Sequence, residues 1–117
     1  MEFFDRSGRA ICYSPDGEHL YLWNGRPVGY MNDGRVYSFD GHILGWVENG
    51  WLYDRQNRHA LFSGDAQGGP LRPLRNVAPV KSVRHVRPVK GVRHVAPVRP
   101  IKGMNWSGFS DVSFFDQ

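Results

Sequence analysis

Two rhythms divide this chain of 117 residues, and the first constrains the fold most. Through residues 1–65 an aromatic side chain stands three residues ahead of a turn dipeptide again and again. Tyr13 precedes Asp16-Gly17, Tyr21 precedes Asn24-Gly25, Tyr30 precedes Asp33-Gly34, Tyr37 precedes Asp40-Gly41 and Trp46 precedes Asn49-Gly50. Weaker copies flank them, with Phe4 before Ser7-Gly8 and Tyr53 before Gln56-Asn57. Asn-Gly and Asp-Gly between apolar stretches predict hairpins, because these residues tolerate the positive φ that a two-residue type I′ turn needs at both positions. The aromatics Phe4, Tyr13, Tyr21, Tyr30, Tyr37, Trp46, Tyr53 and Phe62 are spaced alternately by nine and by seven or eight residues. The true repeat is therefore a pair of strands about 16 residues long, present four times.

Pairing across such turns sets Phe4 opposite Ile11, Tyr21 opposite Val28, Tyr37 opposite Leu44 and Tyr53 opposite Ala60. Alternation along a strand adds Tyr13, Tyr30, Trp46 and Phe62 to that face. The other face then carries Phe3, Leu20, Val36 and Leu52, opposite Cys12, Gly29, Gly45 and Leu61. Glycine inside a strand marks a close approach of backbone, which predicts that the small positions crowd a pseudo-four-fold axis. Isolated hairpins are marginal in water, so four of them must share a core. A closed eight-stranded meander and a radial array both limit exposed sheet edges. The short strands favour the radial form.

The second rhythm starts after a Gly/Pro joint at residues 66–70. Residues 71–103 read as triplets that open on an aliphatic residue every time, from Leu71 through Val80, Val83, Val86, Val89, Val92, Val95 and Val98 to Ile101. The second slot is basic except at Ala78 and Ala96: Arg72, Arg75, Lys81, Arg84, Arg87, Lys90, Arg93, Arg99 and Lys102. The third slot holds Pro, Asn, Ser, His or Gly, and Pro70, Pro79, Pro88 and Pro97 lay a nine-residue period over the triplets. Period three fits neither an α-helix nor a strand. It fits polyproline II, with three residues per turn and a rise of about 3.1 Å. The fold class expected is all-β, four short hairpins in a radial, flower-like array, followed by an extended polyproline-II-like tail. A strictly kept aliphatic ridge predicts docking through valine, onto the head, another tail or another protein. Residues 104–117 carry Trp106, Phe109, Phe114 and Phe115, and read as a cap returning to a surface.

The string from Tyr37 to Gly41, with Trp46, Asn49-Gly50-Trp51 and Tyr53-Asp54, followed by Ala66–Pro70 and the Val-Lys/Arg tail, resembles an uncharacterised bacterial family named the four-fold beta flower. The resemblance covers nearly the whole chain and implies the radial fold. It implies no activity and no site residues.

Charge is unevenly spread. Residues 1–65 hold six bases and nine acids and residues 66–117 nine and two, net −3 against +7. The nine basic residues of the tail are therefore candidates for binding a polyanion such as nucleic acid, without base stacking to give sequence preference. Trp23, Trp46 and Trp51 are a candidate aromatic surface for glycans. No catalytic constellation stands out, and no cofactor or metal site is expected. Cys12 takes the slot of Gly29 and Gly45 and reads as a small core residue; His19, His42 and His59 fall at different repeat positions, and His85 and His94 read as polar spacers. No apolar run approaches the roughly 20 residues of a membrane span, and Met1–Arg6 lacks the order of a signal peptide. The expectation is a cytoplasmic, non-enzymatic binding or scaffolding module that self-associates or docks another protein.

Overall fold

Eight short strands follow one another through the repeat region of the computed structural model, which describes all 117 residues. They are β1 (Glu2–Phe4), β2 (Ala10–Tyr13), β3 (His19–Leu22), β4 (Pro27–Asn32), β5 (Arg35–Tyr37), β6 (Ile43–Glu48), β7 (Trp51–Tyr53) and β8 (Arg58–Ser63). Each pairs antiparallel with the next, and β8 returns to β1 through Phe3 with Ser63 and Phe4 with Phe62. The hairpins stand as four petals about one axis, and neighbouring petals also pair. The closed meander and the radial array are thus one structure. The long dimensions are nearly equal, 37 and 36 Å against a thickness of 20 Å, as four-fold pseudosymmetry requires.

The turns are of three kinds, one of them the longer link from Ser14 to Glu18, where only Gly17 is left-handed (80°). Between hairpins, Asp33-Gly34 and Asn49-Gly50 have positive φ at both residues, 52° and 73° and 52° and 80°, the two-residue form expected. Within hairpins the loop has three residues, and only its last is left-handed: Gly8, Gly25, Gly41 or Asn57. The amide of that residue donates to the carbonyl of Asp5, Leu22, Ser38 or Asp54. The extra loop residue changes the register. Phe4, Tyr21, Tyr37 and Tyr53 pair with Ala10, Pro27, Ile43 and His59, one residue earlier than the spacing predicts. Ile11, Val28, Leu44 and Ala60 become bulge residues, and they turn from the aromatic face toward the inside of the ring.

Inside lies the first core. Phe3, Cys12, Leu20, Val36, Leu52 and Leu61 share it with Met31, the bulged Ile11, Leu44 and Ala60, and Phe114. Gly29 and Gly45 make their close approach to a neighbouring petal rather than at the axis. A Cβ on them would lie 2.6 Å from the Tyr37 carbonyl oxygen and 1.7 Å from that of Tyr53. The aromatics of the other face, among them Phe4, Tyr30, Tyr37, Trp46, Trp51, Tyr53 and Phe62, form a second cluster around the outside.

The C-terminal segment closes the ring. A ninth strand, β9 (Gly103–Trp106), adds parallel to β8, and a 3-10 turn at Val112–Asp116 seats Phe114, fully buried, in the inner core. Its hydrogen bonds join several petals: Ser110 Oγ donates to the Ala60 carbonyl (2.7 Å), Arg6 N donates to Ser110 Oγ (2.9 Å) and Gln117 Nε2 donates to the Leu44 carbonyl (2.7 Å). No helix is long and apolar enough to cross a membrane.

Candidate binding surface

From Leu71 to Lys102 the chain forms neither helix nor strand and runs around the disc as a hoop. Its attachment repeats by station. The amides of Asn76, His85, His94 and Gly103 donate to the carbonyls of Gly8, Gly25, Gly41 and Asn57 at 2.8, 2.9, 2.9 and 3.1 Å. These are the left-handed residues of the four hairpin loops. Nine hoop residues therefore answer one sixteen-residue petal. A second set lies three residues earlier, with Ser82 N on the Trp23 carbonyl (3.0 Å) and Gly91 N on the Phe39 carbonyl (2.7 Å). Every third-slot residue that is not proline donates its amide to the ring, and proline, with no amide to donate, takes the other five slots.

The rise expected of polyproline II can be set against the circuit. At a rise of about 3.1 Å the 27 residues from Asn76 to Gly103 would span about 84 Å. Three quarters of the circumference of a disc 37 by 36 Å is about 86 Å.

Contact at the stations is too close for a side chain. A Cβ on Gly8, Gly25 or Gly41 would meet the carbonyl oxygen of Leu74, Val83 or Val92 at 2.2, 2.0 and 2.0 Å. Asn57 fills the fourth station and uses its side chain: Nδ2 donates to the Pro100 carbonyl (2.7 Å) and Oδ1 accepts from Arg99 Nε (2.9 Å).

The basic ridge faces inward. Arg75, Arg84, Arg93 and Lys102 lie over the rings of Phe4, Tyr21, Tyr37 and Tyr53 at 5.3–5.8 Å from ring centroid to charge. Arg72, Lys81, Lys90 and Arg99 lie over Trp51, Tyr13, Tyr30 and Trp46. Ring acids complete the seam: Lys90 Nζ meets Glu18 Oε2 at 2.7 Å, and Glu48 Oε1 meets Arg99 Nη1 at 2.8 Å and Lys102 Nζ at 2.9 Å. Lys81 lies 3.6 Å from Glu2, and Arg87 lies 3.8 Å from Asp16 and 3.4 Å from the Tyr21 hydroxyl. The hydrogen bond from Lys90 holds Glu18 below the usual carboxylate range, and those from Lys102 and Arg99 do the same for Glu48. A cation over a ring at an exposed site contributes about 0.5–1 kcal/mol, so the seam is strong by repetition. Where the second slot is alanine, at Ala78 and Ala96, the hoop is half-buried, and Ala96 packs on the outer aromatic cluster.

Two expectations are corrected here. The ridge that docks on the head is the basic one, not the valine one. The ring offers aromatic faces, carboxylates and carbonyls, all of which favour cations and amides over methyl groups. The eleven aliphatic residues from Leu71 to Ile101 point outward, each 88–97 % exposed. The aromatic surface is also covered. Trp51 is fully buried among His59, Phe62 and Trp106, its Nε1 donating to the Gln67 and Gly68 carbonyls, and Trp46 is 5 % exposed; Trp23 is half-buried beneath Lys81.

Five open clefts indent the surface, and hoop residues line part of each. Cys12 is buried in the inner core, and burial pushes its thiol pKa up. His19 bonds Asp16, His42 lies against Asp40 and the His94 ring, and His59 bonds the Gly103 carbonyl through Nδ1. Burial lowers the pKa of His59. The acids Glu2, Asp16, Glu18 and Glu48, which receive the hoop, are the functional positions that residue patterns missed: Glu2 and Glu18 share one repeat position and Asp16 and Glu48 another, but Asn32, Gly34 and Gly50 break both series. The alternation of proline and non-proline third slots did carry the signal for the main-chain stations.

No curated protein and no solved structure matches this chain. A family described as 4-fold beta flower protein matches residues 1–115, in agreement with the four petals, and the chain belongs to that family.

Proposed function

We propose that this chain is a non-catalytic binding and scaffolding module, and that its working surface is the aliphatic rim of the hoop. One observation carries the reading: eleven aliphatic side chains in a row at every third position, all 88–97 % exposed, held on a backbone that the ring fixes at each quarter turn. Exposed apolar arrays of this kind mark interaction surfaces. A valine ridge of such regularity has no use in holding the hoop, because the basic ridge and the third-slot amides do that. The partner is a second copy or another protein with a complementary apolar edge. A cytoplasmic setting accords with a lone, buried Cys12 and no disulfide. The polyanion reading has less support, since all nine basic residues of the hoop face rings or carboxylates of the ring.

Replacing Val86, Val89 and Val92 by serine changes the rim and leaves the stations intact. Size-exclusion chromatography with light scattering, and capture of bound proteins by the native chain, compare the two. Loss of assembly or of a captured partner in the serine variant is the expected result. A native chain that is monomeric at every concentration and captures nothing the serine variant does not would sink the proposal.

A further inference from the structure

We infer that the seam between ring and hoop is a transferable interface, and that the partner it fits is the hoop of a second copy of this chain. The inference rests on the self-association reading and names a mode for it, reciprocal exchange of hoops.

The seam is degenerate. Its four stations present equivalent carbonyls, at Gly8, Gly25, Gly41 and Asn57, to equivalent amides nine residues apart. Rings and cations repeat with the same step. Nothing at a station distinguishes the chain's own hoop from another copy's. The hoop is also separable. No residue from Gln67 to Trp106 is fully buried, so lifting it exposes aromatic faces but opens no packed interior; Phe114 is the one inner-core side chain that must travel with it. The joint permits a change of course. Gly68 and Gly69 both have left-handed φ, 71° and 77°; a Cβ on Gly69 would meet the His59 ring at 2.6 Å, but nothing lies within 4 Å of one built on Gly68, where the course can change. In an exchanged pair residues 71–117 of each copy circle the other ring with every station filled, so the free-energy difference from the closed monomer is confined to the joint and to association. This is the general condition for domain swapping.

Charge reversal tests it in the full chain. One variant carries Glu18→Lys and Glu48→Lys in the ring; the other carries Lys90→Glu, Arg99→Glu and Lys102→Glu in the hoop. Each alone sets like charges across the seam, and only reciprocal exchange between the two restores opposite charges at both places in both halves. The variants are unfolded in denaturant and refolded separately and as an equimolar mixture, then followed by native mass spectrometry and thermal melting. The expected result is a heterodimer in the mixture that melts above either variant alone. If the variants fold only when mixed, that outcome supports exchange in the same way. A mixture that holds only monomers, melts as the separate variants do, or fails to refold overturns it. Adding Val86→Ser, Val89→Ser and Val92→Ser to both variants leaves the heterodimer in place, so failure of exchange and failure of the rim reading show themselves separately.

Discussion

The ring and the hoop belong to one chain but are held by different forces. All the fully buried residues lie in the ring region up to Ala66 or in the terminal segment from Ser107. The ring is stabilised by apolar burial, sealed by Phe114. The hoop makes amide-to-carbonyl bonds, lays cations over rings and pairs with four carboxylates. Burial is insensitive to salt and pH, whereas a seam of charges near the surface is screened and titrates. An extended segment can thus be well placed without a core of its own, provided that its length and donor spacing match a symmetric frame.

The largest expected effect tests the ring side of this contrast. Phe114→Ala removes a fully buried aromatic from the axis and should cost about 3–5 kcal/mol of unfolding free energy, read by urea denaturation. A loss under about 1 kcal/mol would mean that the ring does not depend on its plug.

Next comes the boundary between the regions. Gly25→Ala places a Cβ 2.0 Å from the Val83 carbonyl oxygen at a left-handed residue, while Gly17→Ala has the same hand of φ, +80°, and open space. The strained φ alone costs on the order of 1 kcal/mol. Gly25→Ala should therefore exceed Gly17→Ala by about 1–3 kcal/mol, with faster tryptic cleavage within the hoop. Equal losses would show that the hoop does not press on the ring at that station.

A smaller effect sharpens the contrast within the hoop. His85→Pro deletes the amide that bonds the Gly25 carbonyl and should cost about 0.5–1.5 kcal/mol, with amide exchange accelerated around Val83–Val86. Pro88→Ala, at a slot that gives no amide to the ring, should stay within about 0.5 kcal/mol of the native chain. Reversal of that order would break the donor rule.

Acid should separate the regions with least disturbance. Glu18 and Glu48 have lowered pKa values in the folded chain, so the unfolded chain takes up protons first as pH falls, and their stabilisation is lost as pH drops through the folded values. His59 is also lowered, by burial. Its unfolded form therefore protonates first below about 6.5, and this too weakens the folded state on acidification. Cys12, shifted upward inside the ring, stays neutral throughout. NMR between pH 6 and 2 should show the hoop amides of Ser82 and Gly91, which bond the Trp23 and Phe39 carbonyls, moving before those of Phe3 and Leu52. Simultaneous loss of both sets would show one cooperative unit.

Much of the fold was legible in residue patterns because it is local. Four hairpins followed from aromatics tied to turn dipeptides, and the inner face of Phe3, Cys12, Leu20, Val36, Leu52 and Leu61 followed from alternation. The type I′ form was right at Asp33-Gly34 and Asn49-Gly50. It failed at Asp16-Gly17, Asn24-Gly25 and Asp40-Gly41, where the dipeptide is of the same kind but only the glycine is left-handed. The register error at Tyr21, Tyr37 and Tyr53 followed from the single extra loop residue. Of the seam, the pattern marks the basic residues but not their inward course, and nothing in a linear pattern shows that a later segment covers Trp46 and Trp51.

What the amino-acid order determined by itself is periodicity: sixteen residues to a petal, triplets along the hoop, and nine residues between its recurring prolines. Those numbers are properties of the backbone and its turn residues, and they hold wherever the segments lie. Only the tertiary structure decided which ridge of the hoop turns inward, because that choice depends on the surface it meets. A frame of aromatic faces, carboxylates and unpaired carbonyls draws in cations and amides, and leaves the valines to the outside.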